Sequence, residues 1–285
     1  MSVAMLNSTV VPRVGFHGAI TATIDWCEMN YQFNYYIAEM ANTFSNLFTI
    51  GFAVYGGILS TKESLPARFI LGFMGIGLIG LGSFWFHATL LFQAQLADEL
   101  PMIYVTSTAL WLLFDNETGF TLRSTRTRLL TLAAVVFNML FTWSYYIYRN
   151  PVYHQVVFGT LLFSIVGRIY YLLNRSPRGK RVPEDKRRTI SKLFSLGVAQ
   201  FTFAFILWNL DNIYCDTLTE WKVSLGWPLA FLLEGHSWWH VASGTYFKFI
   251  GIQYLALCLK DDHRNFTVEY KMGLPYVRRL DKRTQ

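Results

Sequence analysis

The sequence predicts an all-α membrane protein, a seven-transmembrane helix bundle, on three observations. Of its 285 residues, 53% are hydrophobic and only 15% charged, against about a quarter charged in an average soluble domain. Seven apolar runs approach or exceed the roughly 20 residues that cross a bilayer as a helix. The basic residues fall in short gaps between those runs, the pattern of cytoplasmic loops. That placement argues against reading the net charge of +7 as a nucleic-acid surface.

In chain order the runs are approximately 41–60, 68–92, 99–115, 129–147, 153–173, 190–209 and 227–257. The third is short, and Glu99-Leu100-Pro101 at its start suits proline in a first helical turn. The seventh is long enough to tilt or to extend past the bilayer. The first 18 residues lack a charged stretch followed by an apolar core, so no cleaved signal peptide is expected. With no repeat and no low-complexity tract, the simplest organisation is an N-terminal segment 1–40, one membrane domain 41–257 and a basic tail 258–285.

An odd number of spans puts the termini on opposite sides. Of the 25 Lys and Arg, only Arg13, Arg149 and Lys222 lie on the side of the N-terminus. The positive-inside rule therefore predicts a cytosolic C-terminus and a lumenal or external N-terminus. Cys27 and Cys215 both fall on that oxidising side, and a disulfide between them is expected, the alternative being two free buried thiols. Asn7 begins a glycosylation sequon on the same side, whereas those at Asn116 and Asn265 face the cytosol.

Polar chemistry inside the apolar runs narrows the function. Ser83 and His87 are four residues apart and share a helix face, as do His236 and His240. Histidine in a membrane span is costly and marks function or an internal hydrogen bond. The topology places His87 near the lumenal end of span two, and His236 and His240 about 14 to 20 Å into span seven at 1.5 Å per residue. All three can meet at one depth and bind one Zn²⁺, leaving its fourth position to water as in a hydrolytic site. Asp98 could then accept and return a proton, or merely sit at a helix start. Ser83 could orient the water or the developing oxyanion, or bond its own backbone. Glu234 could orient a ligand histidine or pair within the bundle, and Asp211 and Asn212 read as structural. A second cluster, Asp25, Glu28, Asn30 and Glu39 with the Trp26 carbonyl, offers the hard oxygens that Ca²⁺ takes, although acidic residues ahead of a membrane helix are also commonly just solvated.

These motifs together, Asp25-Trp26-Cys27-Glu28-Met29-Asn30 with Glu39, Ser83-x3-His87, Asp98-Glu99-Leu100-Pro101-Met102, Trp208-Asn209-Leu210-Asp211-Asn212 and Gly235-His236-x3-His240, resemble the alkaline ceramidase family. The likeness runs from about residue 15 to 260. It implies catalytic Zn²⁺ on His87, His236 and His240, with Ser83 and Asp98 beside the metal water. It also implies Ca²⁺ on Asp25, Trp26, Glu28, Asn30 and Glu39. The implied activity is hydrolysis of a ceramide amide, including phyto- or dihydroceramide, to a sphingoid base and a fatty acid, in endoplasmic reticulum or Golgi membranes. On that likeness water held by the metal would attack the amide carbonyl, with Asp98 as general base and then acid and Ser83 as partner of the oxyanion or the water. The final Lys282-Arg283-Thr284-Gln285 resembles a dibasic retrieval signal. Competing readings are a seven-helix adiponectin-type zinc receptor and a related lipid-remodelling hydrolase. The oligomeric state is left open.

Overall fold

A computed structural model describes residues 14–115, 122–260 and 265–280; the sequons at Asn7 and Asn116 and the final four residues lie outside them. Among the described residues ten α-helices follow one another: α1 (Met40–Lys62), α2 (Ala67–Thr89), α3 (Phe92–Phe114), α4 (Thr125–Tyr148), α5 (Pro151–Asn174), α6 (Pro177–Arg181), α7 (Glu184–Ile213), α8 (Cys215–Leu225), α9 (Gly235–Ala242) and α10 (Thr245–Lys260). A 3₁₀ turn, Leu229–Leu233, precedes α9, and a hairpin of β1 (Phe266–Lys271) and β2 (Leu274–Arg279) ends the described chain. Helices α1, α2, α4, α5 and α7 are each long and apolar enough to cross a membrane. Large apolar side chains point outwards from them, among them Trp143 at 66% and Phe163 at 79% exposure. That outward face suits lipid, where every backbone group must bond within its own helix.

Three expectations about the elements change. The third helix begins at Phe92 and not near Glu99, because Leu90 turns the chain with φ +52° at the end of α2 and the Phe92 amide donates to the Thr21 hydroxyl at 2.9 Å. Pro101 therefore lies inside α3, where its missing N–H leaves the Ala97 carbonyl without its helical donor. The seventh run is not one helix. It breaks at Ser243-Gly244, where Gly244 adopts φ +65° and a Cβ would lie 2.2 Å from the Gly197 carbonyl oxygen of α7, so glycine alone fits the turn. The basic tail contains the antiparallel hairpin, with Phe266 paired to Arg279 and Lys271 to Leu274. Phe266 and Val277 enter the main core at 1% exposure, and the Tyr246 hydroxyl donates to the Pro275 carbonyl at 2.7 Å.

That core fills one end of the bundle. Phe69, Phe73, Ile76, Leu112, Leu113, Phe249, Ile250 and Leu255 pack there. Asp115 closes it: one oxygen accepts from Arg68 at 2.9 Å and Lys260 at 2.6 Å, the other from Thr127 at 2.8 Å. A buried carboxylate survives only with such partners. At the opposite end the N-terminal segment folds across the helix tops, where the Ala38 and Glu39 amides donate to the Ala88 and His87 carbonyls at 2.9 and 3.0 Å.

Candidate metal centre

The polar residues inside the bundle gather at the end that the N-terminal segment covers. His87 near the end of α2 and His236 and His240 on α9 converge, and one ligating nitrogen from each lies within 4.8 Å of the others. His87 Nε2 and His236 Nε2 are 3.3 Å apart. Nitrogens at 2.0–2.1 Å from a tetrahedral Zn²⁺ stand about 3.3–3.4 Å from one another. The donor set and the spacing of that pair fit zinc.

The remote ring nitrogens show how the imidazoles are aimed. His87 Nδ1 lies 2.5 Å from Glu39 Oε2, so the ring donates there and turns its Nε2 lone pair inwards. His240 Nδ1 lies 2.7 Å from Ser45 Oγ. Ser45 donates its own proton to the Asn42 carbonyl at 3.0 Å, which leaves its oxygen to accept from His240 Nδ1–H. Such outer partners fix tautomer and orientation. His236 Nδ1 has no hydrogen-bond partner among the described residues; its ring is stacked on Trp26 with centroids 3.7 Å apart and planes 17° apart.

Ser83 Oγ stands 3.3 Å from His240 Nε2 and also faces the Asp98 carboxylate. The junction of α2 and α3 makes this possible. A Cβ on Gly82 would lie 1.9 Å from the Ala97 carbonyl oxygen and 2.8 Å from the Asp98 amide nitrogen. That carbonyl is the one Pro101 leaves without a donor, so glycine on one helix and proline on the other let Asp98 reach Ser83.

The acidic residues before α1 divide into contacts. The Asn30 side-chain amide donates to both Asp25 oxygens at 3.1 and 3.3 Å. Glu28 accepts the Ala41 and Asn42 amides at 2.7 and 2.8 Å, satisfying open N–H groups of the first turn of α1. Burial, and then the Glu39 carboxylate beside it, push the Glu28 carboxyl up to about 8. Asn30 Oδ1, Glu39 Oε1 and Asn42 Oδ1 are buried acceptors without a donor among the described residues. Crowded carboxylates with spare carbonyl oxygens are the chemistry a hard cation such as Ca²⁺ satisfies. Glu39 faces both groups, since its second oxygen is the one bonded to His87.

Cys27 and Cys215 form a disulfide, Cα atoms 5.3 Å apart. It pins the residue after Trp26 to α8. Lys222 of α8 donates to the Cys27 carbonyl at 3.0 Å and to Glu234 Oε2 at 2.9 Å. Glu234 thus pairs within the bundle and does not orient His236. Sequence reasoning missed Ser45 and Asn42, which carry no motif in an apolar helix. His154 it left without a role; its ring bonds the Glu99 carbonyl at 3.0 Å, and Glu99 in turn accepts from Gln95 at 3.1 Å and from the Tyr145 hydroxyl.

Apolar helices with outward-facing hydrophobic side chains and a buried three-histidine cluster define an all-α protein of the membrane type with a candidate metal centre. Its relatives agree. The sequence model of the ceramidase family matches residues 18–278. The chain is 34% identical over 255 residues to alkaline ceramidase YPC1 of Saccharomyces cerevisiae, covering 85% of this chain and 78% of that one. It is 32% identical over 234 residues to alkaline ceramidase 3 of Mus musculus, covering 82% and 83%. To the alkaline ceramidase of Arabidopsis thaliana it is 28% identical over 274 residues, covering 95% and 97%. The chain belongs to the ceramidase family.

Proposed function

We propose that this enzyme, an alkaline ceramidase in class, cleaves the amide of membrane ceramides, phyto- or dihydroceramide included, to a sphingoid base and a fatty acid. The observation that carries the site is the convergence of His87, His236 and His240 with Ser83 and Asp98 inside the bundle. Zinc held by the three imidazoles supplies a Lewis acid that polarises an amide carbonyl and acidifies water. Asp98 accepts the proton that the attacking water releases as its oxygen bonds the carbonyl carbon. The same carboxyl returns that proton to the departing nitrogen as the C–N bond breaks, so water and amide yield amine and acid in balance. The Ser83 hydroxyl lies between Asp98 and His240, where it orients the water or the carbonyl oxygen. Purified protein given a panel of ceramides and other acylated lipids tests the substrate. Free sphingoid base is the expected product; cleavage confined to a different acyl bond would replace ceramide with another lipid class.

Seven crossings follow if α3 and the broken α9–α10 unit complete the five apolar helices. The basic bias then gives a lumenal N-terminus and a cytosolic C-terminus in endoplasmic reticulum or Golgi membranes. In the same reading 1–40 is the extracytosolic segment, 41–257 the catalytic domain and 258–285 the cytosolic tail. Calcium on Asp25, the Trp26 carbonyl, Glu28, Asn30 and Glu39 ties that segment to the site through Glu39. Glu28→Ala is expected to lower calcium affinity and thermal stability while zinc stays bound; unchanged calcium binding by titration calorimetry would remove Glu28 from the set. Ser45→Ala should weaken zinc about 10- to 100-fold by freeing the His240 ring, as read by chelator competition.

A further inference from the structure

We propose that Asp211 is the positioning residue for His236, its carboxylate fixing the backbone at the start of the helix that carries that ring. The inference rests on the zinc reading above. Asp211 closes the last turn of α7 at 1% exposure, where an ionisable group is costly unless it is hydrogen-bonded. Its Oδ1 accepts the Gly235 N–H at 3.0 Å, and its Oδ2 has no hydrogen-bond partner among the described residues. Gly235 directly precedes His236, so the carboxylate holds the residue next to the ring that stacks on Trp26.

The packing leaves this contact little slack. A Cβ on Gly235 would lie 2.8 Å from Asp211 Cβ and 3.0 Å from the Leu207 carbonyl oxygen, so the start of α9 is seated directly on α7. His236 needs such support more than the other two histidines. His87 has Glu39 and His240 has Ser45 on the remote nitrogen, whereas His236 Nδ1 has no hydrogen-bond partner among the described residues. Its ring is therefore aimed from the flank, where Trp26 stacks on it, and from the backbone, which Asp211 holds at Gly235. Asp211 touches neither substrate nor the ligating nitrogens, so its effect runs through the geometry of the ligand.

The test uses the full-length protein with Asp211→Ala, Asp211→Asn and Gly235→Ala. Zinc affinity is measured by chelator competition, coordination by the visible absorption of the cobalt-substituted protein, and folding by thermal melting. Asp211→Ala and Gly235→Ala are expected to weaken zinc about 10- to 100-fold and to change the cobalt bands. Asp211→Asn, which keeps an oxygen for the Gly235 N–H, should restore most of the affinity. If Asp211→Ala does not fold, Gly235→Ala carries the comparison. A lowered melting temperature with unchanged zinc affinity and cobalt spectrum would make Asp211 merely structural and overturn the proposal. Failure of the unsubstituted protein to bind zinc would instead overturn the zinc reading itself.

Discussion

Asp98→Asn is expected to lower kcat for ceramide hydrolysis by roughly 10²- to 10⁴-fold, the usual contribution of a positioned general acid and base. The substitution is nearly isosteric, and the asparagine keeps a carbonyl oxygen facing Ser83. None of the three histidines bonds Asp98 in the structure; their side-chain partners are Glu39, Ser45, Asn46, Ser83 and one another. Zinc content should therefore be unchanged. KM should change little, because the lost interaction belongs to the proton transfers and not to ground-state binding. Equal activity in the variant would transfer the proton role to another group, and loss of zinc would make Asp98 part of the metal site.

Gly82→Ala should have the second largest effect, on stability and turnover together. Its Cβ would sit 1.9 Å from the Ala97 carbonyl oxygen, a backbone atom that cannot rotate away, so α2 and α3 must separate. Overpacking of this kind costs about 1–3 kcal/mol. The separation opens between Ser83 and Asp98, and an ångström of misplacement at reacting groups can cost about 10²-fold in rate. A lower melting temperature with kcat reduced and zinc retained is the expected pattern. Full stability and turnover would mean that the close approach is not what sets the Ser83–Asp98 contact.

The same contact shows why part of the site could be read in the sequence and part could not. Ser83 with His87, and His236 with His240, announce themselves by helical spacing in runs too apolar to tolerate them without purpose. Asp98 was legible as a carboxylate, but its helix was misjudged, because Pro101 suits a first turn and nothing local reveals that α3 already began at Phe92. Ser45 gives no signal, since a serine in an apolar helix bonds its own backbone as readily as a histidine 195 residues away. The break at Gly244 was hidden for a similar reason: a lone glycine within an apolar run is tolerated in a helix, and only the Gly197 carbonyl pressed against it shows the turn. The hairpin was masked by its lysines and arginines, whose outward charges concealed Phe266 and Val277. Glu39 was legible as an oxygen donor near a cation site, yet its bond to His87 is a tertiary contact that links the two clusters.

The central claim is that three histidines from two segments hold one zinc that ceramide hydrolysis requires. Metal content and sphingoid-base release measured on the same purified sample, before chelation, after it and after zinc is restored, test it most directly, with His236→Ala alongside. One zinc per chain, lost together with activity and regained with it, and absent in the variant, is the predicted result. Undiminished release of sphingoid base from protein stripped of zinc would contradict it.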